Sequence, residues 1–291
     1  MLARIAASAV ICVLFAGPAG AADPWADSVL SYEAGALDAG DTYNVPSAVL
    51  GSPARTTVGW ATTDFVTWTT YEESVRLSAP PYQDYTTSAS TVLKVGAGGH
   101  LVVGFDERVE NEAGNPFGID LLIFTNAGLV ATDWPDNKMI ADPVFAFGGT
   151  LGTIRVSQDN AAWYTAVGLG PNFPMQAYRS DAWNAFATGA APSDYSRPVD
   201  PSLSLDAFGG KSMAEILSYY NRSGGGLGVD LSNLLDADGN AAGLPWIQYL
   251  RIEGATNAID GFSDVAVPEP ATMGLLAIGG AALLARRRRG A

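Results

Sequence analysis

The chain has 291 residues, of which 48 % are hydrophobic and 16 % charged, and 16 Lys and Arg against 30 Asp and Glu give a formal charge of −14. That sign excludes a nucleic-acid or anionic-lipid binder, which needs positive charge to displace counterions. One cysteine and one histidine exclude an intrachain disulfide, a thiolate metal centre and the histidine pairs of zinc proteases.

Arg4, the apolar stretch 5–15 and Ala19-Gly20-Ala21-Ala22 ahead of Asp23-Pro24 read as a secretory signal peptide over residues 1–22, cut after Ala21 or Ala22. Cys12 lies inside it, and no cysteine stands at the junction where lipidation would need one. Setting aside Arg4, Arg286, Arg287, Arg288, Arg289 and Glu269 leaves 11 basic and 29 acidic residues, a charge of −18. Such a surface favours solubility and attracts divalent cations. Residues 23–266 suffice for one large domain whose core is stable without disulfides.

Within that domain, short runs of β-branched and aromatic residues alternate with Gly, Pro and Asp turns, at 58–70, 91–95, 101–105, 119–124, 152–157, 163–167 and 247–253. Trp60, Trp68, Tyr71, Tyr82 and Tyr85, with Gln83 and Asp84, form an aromatic-rich stretch on which saccharide rings could stack while amide and carboxyl groups take the hydroxyls. Trp163 and Trp246 are assigned to core packing. His100 follows Gly98-Gly99 and opens a strand, which suits a structural or solvent-facing histidine better than a base. Asp106, Glu107, Glu110, Glu112 and Asp120 could supply a carboxylate pair to a glycosidase or polysaccharide lyase, but their spacing singles out no pair.

Leu121-Leu122-Ile123-Phe124 is apolar throughout and predicts a central strand covered on both faces. In 247–253, Leu250 and Ile252 share one face and Tyr249, Arg251 and Glu253 the other, as in a strand with one buried side. Residues 187–201 read as a long surface loop. Ser212 and Glu215 form a capping box, Met213, Ile216, Leu217 and Tyr220 share one helical stripe, and Gly224-Gly225-Gly226 closes the run, so a helix over 213–222 is expected to pack on the strands as an embellishment. All-β architecture follows: a jelly-roll-like antiparallel β-sandwich with one short helix.

Two acidic segments carry the expectation of Ca2+. Asp236, Asp238 and Asn240 place oxygens at alternate positions of a glycine-containing turn, although Ala241 and Ile247 stand where an EF-hand needs Gly and a bidentate Glu. An ordinary hairpin turn fits the same residues. Asp260 and Asp264 form the second candidate, meeting Asp120 across the end of the sandwich.

At the C-terminus Pro268, Glu269 and Pro270 precede an apolar run over 273–285 and then Arg286, Arg287, Arg288 and Arg289. The prolines keep the segment extended and accessible. Thirteen apolar residues span about 20 Å as a helix against a hydrocarbon core of about 30 Å, which makes a transient stop held by arginines on the cytoplasmic side. The alternative is an ordinary C-terminal anchor.

Residues 267–291 resemble the PEP-CTERM sorting signal in the order of their three parts. The resemblance implies removal of the tail by an exosortase and delivery to the surface or exopolysaccharide matrix of a Gram-negative bacterium. Residues 95–105, 118–126, 154–163, 249–252 and 260–264 are similar to galactose-binding-like jelly rolls of exported bacterial surface proteins, which implies that fold over roughly 90–265. The combined expectation is a non-catalytic surface or matrix protein that binds polysaccharide and is stabilised by calcium. A carboxylate-based polysaccharide-processing enzyme and a purely structural matrix protein are the alternatives.

Overall fold

The computed structural model describes residues 23–37, 43–53, 57–60, 68–71, 83–84, 89–90, 92–127, 151–175, 194–211, 213–255 and 258–265. Its strands are β1 (Ser28–Glu33), β2 (Thr57–Trp60), β3 (Trp68–Tyr71), β4 (Gln83–Asp84), β5 (Ala89–Ser90), β6 (His100–Glu110), β7 (Leu121–Thr125), β8 (Thr153–Ser157), β9 (Tyr164–Ala166), β10 (Leu227–Val229), β11 (Leu234–Leu235), β12 (Trp246–Glu253) and β13 (Ile259–Asp264). One α-helix, α1 (Met213–Tyr220), interrupts them. All strand pairs among the described residues are antiparallel.

A six-stranded sheet has the order β1-β6-β12-β8-β9-β11 and a three-stranded sheet the order β10-β7-β13. One apolar cluster joins them: Leu101 and Val103 of β6, Ile154 and Val156 of β8, and Leu250 and Ile252 of β12 meet Leu121 and Ile123 of β7 and Phe262 of β13. This is an all-β sandwich. Successive side chains point to opposite faces, so Leu122 and Phe124 leave that core and join Met175, Tyr195 and Val265 on the far side of β7. The all-apolar run at 121–124 is thereby covered on both faces, as its composition requires.

Strand β12 keeps the expected alternation from Tyr249 to Glu253, with Leu250 and Ile252 buried and their neighbours half-buried. Ile247 is buried too, which strict alternation from Leu250 forbids. Opposite it, β6 accommodates extra residues: Ile247 pairs with Val109 but Tyr249 with Gly104, so Asp106, Glu107 and Arg108 bulge out, exposed, and the phase is reset.

Three expectations are corrected. The run 58–70 is two strands, β2 and β3, paired from Thr57 with Tyr71 to Trp60 with Trp68, because thirteen residues exceed a usual strand length. The run 91–95 contributes a single bridge, Leu93 with Ile259, made by N–H to C=O bonds of 2.7 and 2.8 Å in the two directions. Helix α1 ends at Tyr220, before the glycines, on Asn221 and Arg222 with φ of 46° and 70°. Gly224, Gly225 and Gly226 serve close approach instead: a Cβ at these positions would strike the Tyr195 ring, the Pro174 carbonyl and the Phe124 ring. Ile216 and Tyr220 of the helix pack with Phe173, Val199 and Phe208 in a satellite cluster, and the Tyr220 hydroxyl donates to the Pro174 carbonyl at 2.8 Å. Ser212, the proposed cap, lies outside the described residues.

Beyond β1 the chain continues against the glycine-rich segment before β6. Gly96 N–H donates to Ala34 O (2.7 Å) and Ala36 N–H to Ala97 O (3.0 Å). The two backbones lie so close that a Cβ on Gly96 would meet the Ala36 carbonyl and one on Gly99 the Glu33 carbonyl.

Candidate functional site

Several of the aspartates are occupied by the backbone two residues ahead. Oδ1 of Asp159 accepts from Ala161 N–H and Ala162 N–H (both 2.9 Å), that of Asp194 from Ser196 N–H (3.0 Å), that of Asp200 from Ser202 N–H (2.9 Å) and that of Asp230 from Ser232 N–H (2.7 Å). These are Asx turns. The donors hold the Asp159 carboxyl below its ordinary range, chiefly through Ala162 N–H, and that of Asp200 through Ser202.

Asp236, the first calcium candidate, belongs to the same class. Its Oδ1 accepts from Asp238 N–H (2.9 Å) and Asn240 N–H (2.8 Å), its Oδ2 from Asn240 Nδ2 (3.3 Å), and the Asn240 N–H above all lowers its pKa. Asp236 and Asn240 thus face each other across the turn, with Gly239 at φ 81° supplying the reversal. Asp238 is exposed. Among the described residues no three His, Cys, Asp or Glu side chains group as a metal site.

The second candidate is split by the fold. Strand β13 runs antiparallel to β7 with Ile259 opposite Thr125 and Asp264 opposite Leu121. Asp260 and Asp264 therefore lie about 13 Å apart at opposite ends of the strand. The Asp260 end adjoins a polar corner in which Asn126 Oδ1 accepts from Ala258 N–H (3.1 Å) and Thr125 Oγ1 from Asn172 Nδ2 (2.8 Å). Asp264 does approach Asp120.

Asp120 is buried and acts as a clamp. Its Oδ1 accepts from Asn115 Nδ2 (2.7 Å) and its Oδ2 from Leu231 N–H (2.8 Å), while burial pushes its pKa up. It thereby ties the loop after β6 to the loop after β10. Burial also pushes Asp264 up to about 7, and the charges of Asp120, Glu112 and Glu110 act in the same direction. Asp264 consequently holds a proton in the folded state that it would lose unfolded at pH 5 to 7, so its contribution to stability is present below 3.8 and lost as pH rises through about 7. The thermal midpoint should fall as pH rises from 3.8 to about 7 and level off above that, and Asp264→Asn should flatten the fall. The rise from 3.8 to about 7 bounds the effect near 4 kcal/mol, and about 2 kcal/mol is expected for a half-buried group. An unchanged slope in the variant would remove Asp264 as its cause.

The loop that Asp120 holds carries a residue whose role the composition alone does not disclose. In the turn closed by Gly118 N–H to Asn115 O (3.1 Å), Phe117 occupies the third position with φ 60° and ψ 11°. Glycine or asparagine belongs there, and a bulky residue in this region costs about 1–3 kcal/mol. Its ring is 56 % exposed. Phe117, Val167, Leu169, Pro201, Asp230 and Asn233 line a cleft of 630 Å³. An aromatic where Asn-Pro-x-Gly calls for a small residue is the sequence signal that points to it.

Elsewhere, Ser31 Oγ lies 3.0 Å from His100 Nε2, and His100 Nδ1 lies 3.7 Å from Glu33, across β1 and β6. Ser31 and Glu33 are exposed on an edge strand, which makes this a solvent-facing polar cluster. Asp106 and Glu107 sit on the β6 bulge, and Asp106 N–H donates to Asp27 Oδ2 at 2.7 Å. Trp163 and Trp246 are not core residues: both are half-buried and covered by arginines, with the Arg108 guanidinium 3.9 Å from the Trp246 ring centre and that of Arg251 6.0 Å from Trp163. Trp60, Trp68 and Tyr71 lie on β2 and β3, which pair directly. Tyr82 and Tyr85, the expected signal peptide over 1–22 and the tail residues Pro268, Glu269, Pro270 and Arg286 to Arg289 lie outside the described residues. Among the described residues no helix is long and apolar enough to cross a membrane.

Comparison with protein families matches residues 266–289 to the PEP-CTERM protein-sorting motif. The motif marks an exported, membrane-transiting protein that an exosortase processes at the cell envelope. No curated protein matches the chain.

Proposed function

We propose that this exosortase substrate is a non-catalytic protein of the cell surface or extracellular matrix of a Gram-negative bacterium, whose sandwich, of the jelly-roll, galactose-binding-like kind, holds exopolysaccharide. The sorting motif carries the reading, because it marks the domain for export and exosortase processing at the cell envelope. The disposition of three of the candidate acids supports it: Asp106 and Glu107 are exposed on the β6 bulge, and Asp120 is committed to Asn115 and Leu231. Trp60, Trp68, Tyr71, Tyr82 and Tyr85 are candidate stacking residues. Calcium enters on charge: a domain at −18 gains from a divalent counterion at its acidic loops.

Native gels cast with neutral or acidic polysaccharide should retard the protein as released by the cell, and reducing-end assays on the same polymers should stay at background. Trp68→Ala and Tyr82→Ala should weaken the retardation. New reducing ends abolished by one carboxylate substitution would replace this reading with the polysaccharide-processing enzyme, and an absence of retardation would leave the purely structural protein. Running the gels and thermal melts with calcium and with chelator decides the metal, which is dropped if neither changes. An intact mass of the same material should lack residues 1–22 and the arginine cluster.

A further inference from the structure

We propose that the cleft beside Phe117 is a second saccharide site, taking a short uncharged segment of polymer with one ring stacked on the Phe117 face. This rests on the polysaccharide-binding reading and adds where, and to what chemistry, the sandwich binds.

Four observations carry it. Five large apolar side chains are exposed among the described residues, and three of them, Phe117, Val167 and Leu169, line this one cleft. The Phe117 backbone is held in a conformation suited to glycine, and strain of that kind persists only where surrounding bonds over-determine it. Those bonds are present: Asp120 binds Asn115, two residues before Phe117, and Leu231, beside Asp230 and Asn233 on the facing wall, while Val167 N–H donates to Asn233 O at 3.0 Å. The ring is thus presented on a frame fixed before any ligand arrives, which lowers the ordering cost of binding.

The chemistry of the walls selects the ligand. The volume of 630 Å³ falls within the usual range for small-ligand sites. An exposed aromatic face suits the C–H face of a sugar ring. Asp230 uses Oδ1 on Ser232 N–H and Oδ2 on Asn233 Nδ2 (2.9 Å). Each carboxylate oxygen retains a lone pair for a hydroxyl donor, and so does the Asn233 carbonyl. Among the described residues no basic side chain lines the cleft, and Asp230 stands on its wall, so a polyanion is disfavoured and a neutral polymer is not.

Phe117→Gly separates a binding role from a structural one. Because glycine tolerates the positive φ, a merely structural Phe117 has little reason to be there, and the variant should melt at or above the wild-type temperature. In native gels containing dextran or galactomannan, the wild-type protein should be retarded, Phe117→Gly should lose about fivefold or more of that affinity, and Phe117→Trp should retain it. Equal retardation of wild type and Phe117→Gly overturns the cleft as a site while leaving polysaccharide binding intact. If an apolar peptide binds the cleft and no neutral polymer competes with it, the saccharide assignment is likewise overturned. Retardation by acidic polymers alone overturns the neutral ligand, and no retardation by any polymer fells the broader reading together with this one.

Discussion

Replacing Asp120 by Ala is expected to lower stability by about 3 kcal/mol, measured as a shift of the urea midpoint at constant slope. The side chain is 1 % exposed, and its loss strands the Leu231 N–H and the Asn115 amide without the acceptor each now reaches at 2.8 and 2.7 Å. Each stranded buried donor costs about 1–3 kcal/mol, partly offset because the ionised carboxylate is itself costly to bury, as its raised pKa records. The loss should be accompanied by weaker polysaccharide retardation, since both walls of the Phe117 cleft hang from this residue. A shift below about 1 kcal/mol would mean that water takes over the two donors, and the clamp would then be a minor support.

Gly96→Ala should cost as much or more. A methyl group there must displace the Ala36 carbonyl, which cannot move without breaking the paired bonds Gly96 N–H to Ala34 O and Ala36 N–H to Ala97 O. Overpacking against backbone costs about 3 kcal/mol, at the upper end of the usual range. Gly98 is the internal control. It has φ 74° but nothing within 4 Å of the point where a methyl group would stand, so Gly98→Ala should cost only the left-handed strain, about 1 kcal/mol. Equal losses at 96 and 98 would show that the backbone yields to a methyl group at Gly96 and that proximity is not what fixes glycine there.

The strands that could be read from the chain are those with a single pattern. Residues 121–124 are apolar without interruption and 249–253 alternate without interruption, and both fold as their patterns demand. Failures occur where the decisive contact is distant in sequence. Ile247 is buried because β6 bulges, and nothing near 247 records that. The three glycines after α1 look like a helix stop because helix stops and tight backbone crossings require the same residue. Two charged-site readings show the same degeneracy. Oxygens at 236, 238 and 240 suit both a cation loop and an Asx turn, which differ only in whether amide hydrogens or a metal fill the centre. Asp260 and Asp264 are near in sequence and share a strand, yet extension of that strand carries them to opposite ends. The sorting tail was legible because its order of parts is recognised in sequence and needs no fold.

The Asx turns bear on how the protein reaches its folded state. Each joins a carboxylate to an amide two to four residues away, at 159, 194, 200, 230 and 236, so closure costs little chain entropy. With one cysteine in the whole chain, no loop waits for an oxidase or for disulfide reshuffling. An exported chain built this way can shape its loops locally, segment by segment, as each clears the translocation channel, and reducing conditions outside the cell leave them intact.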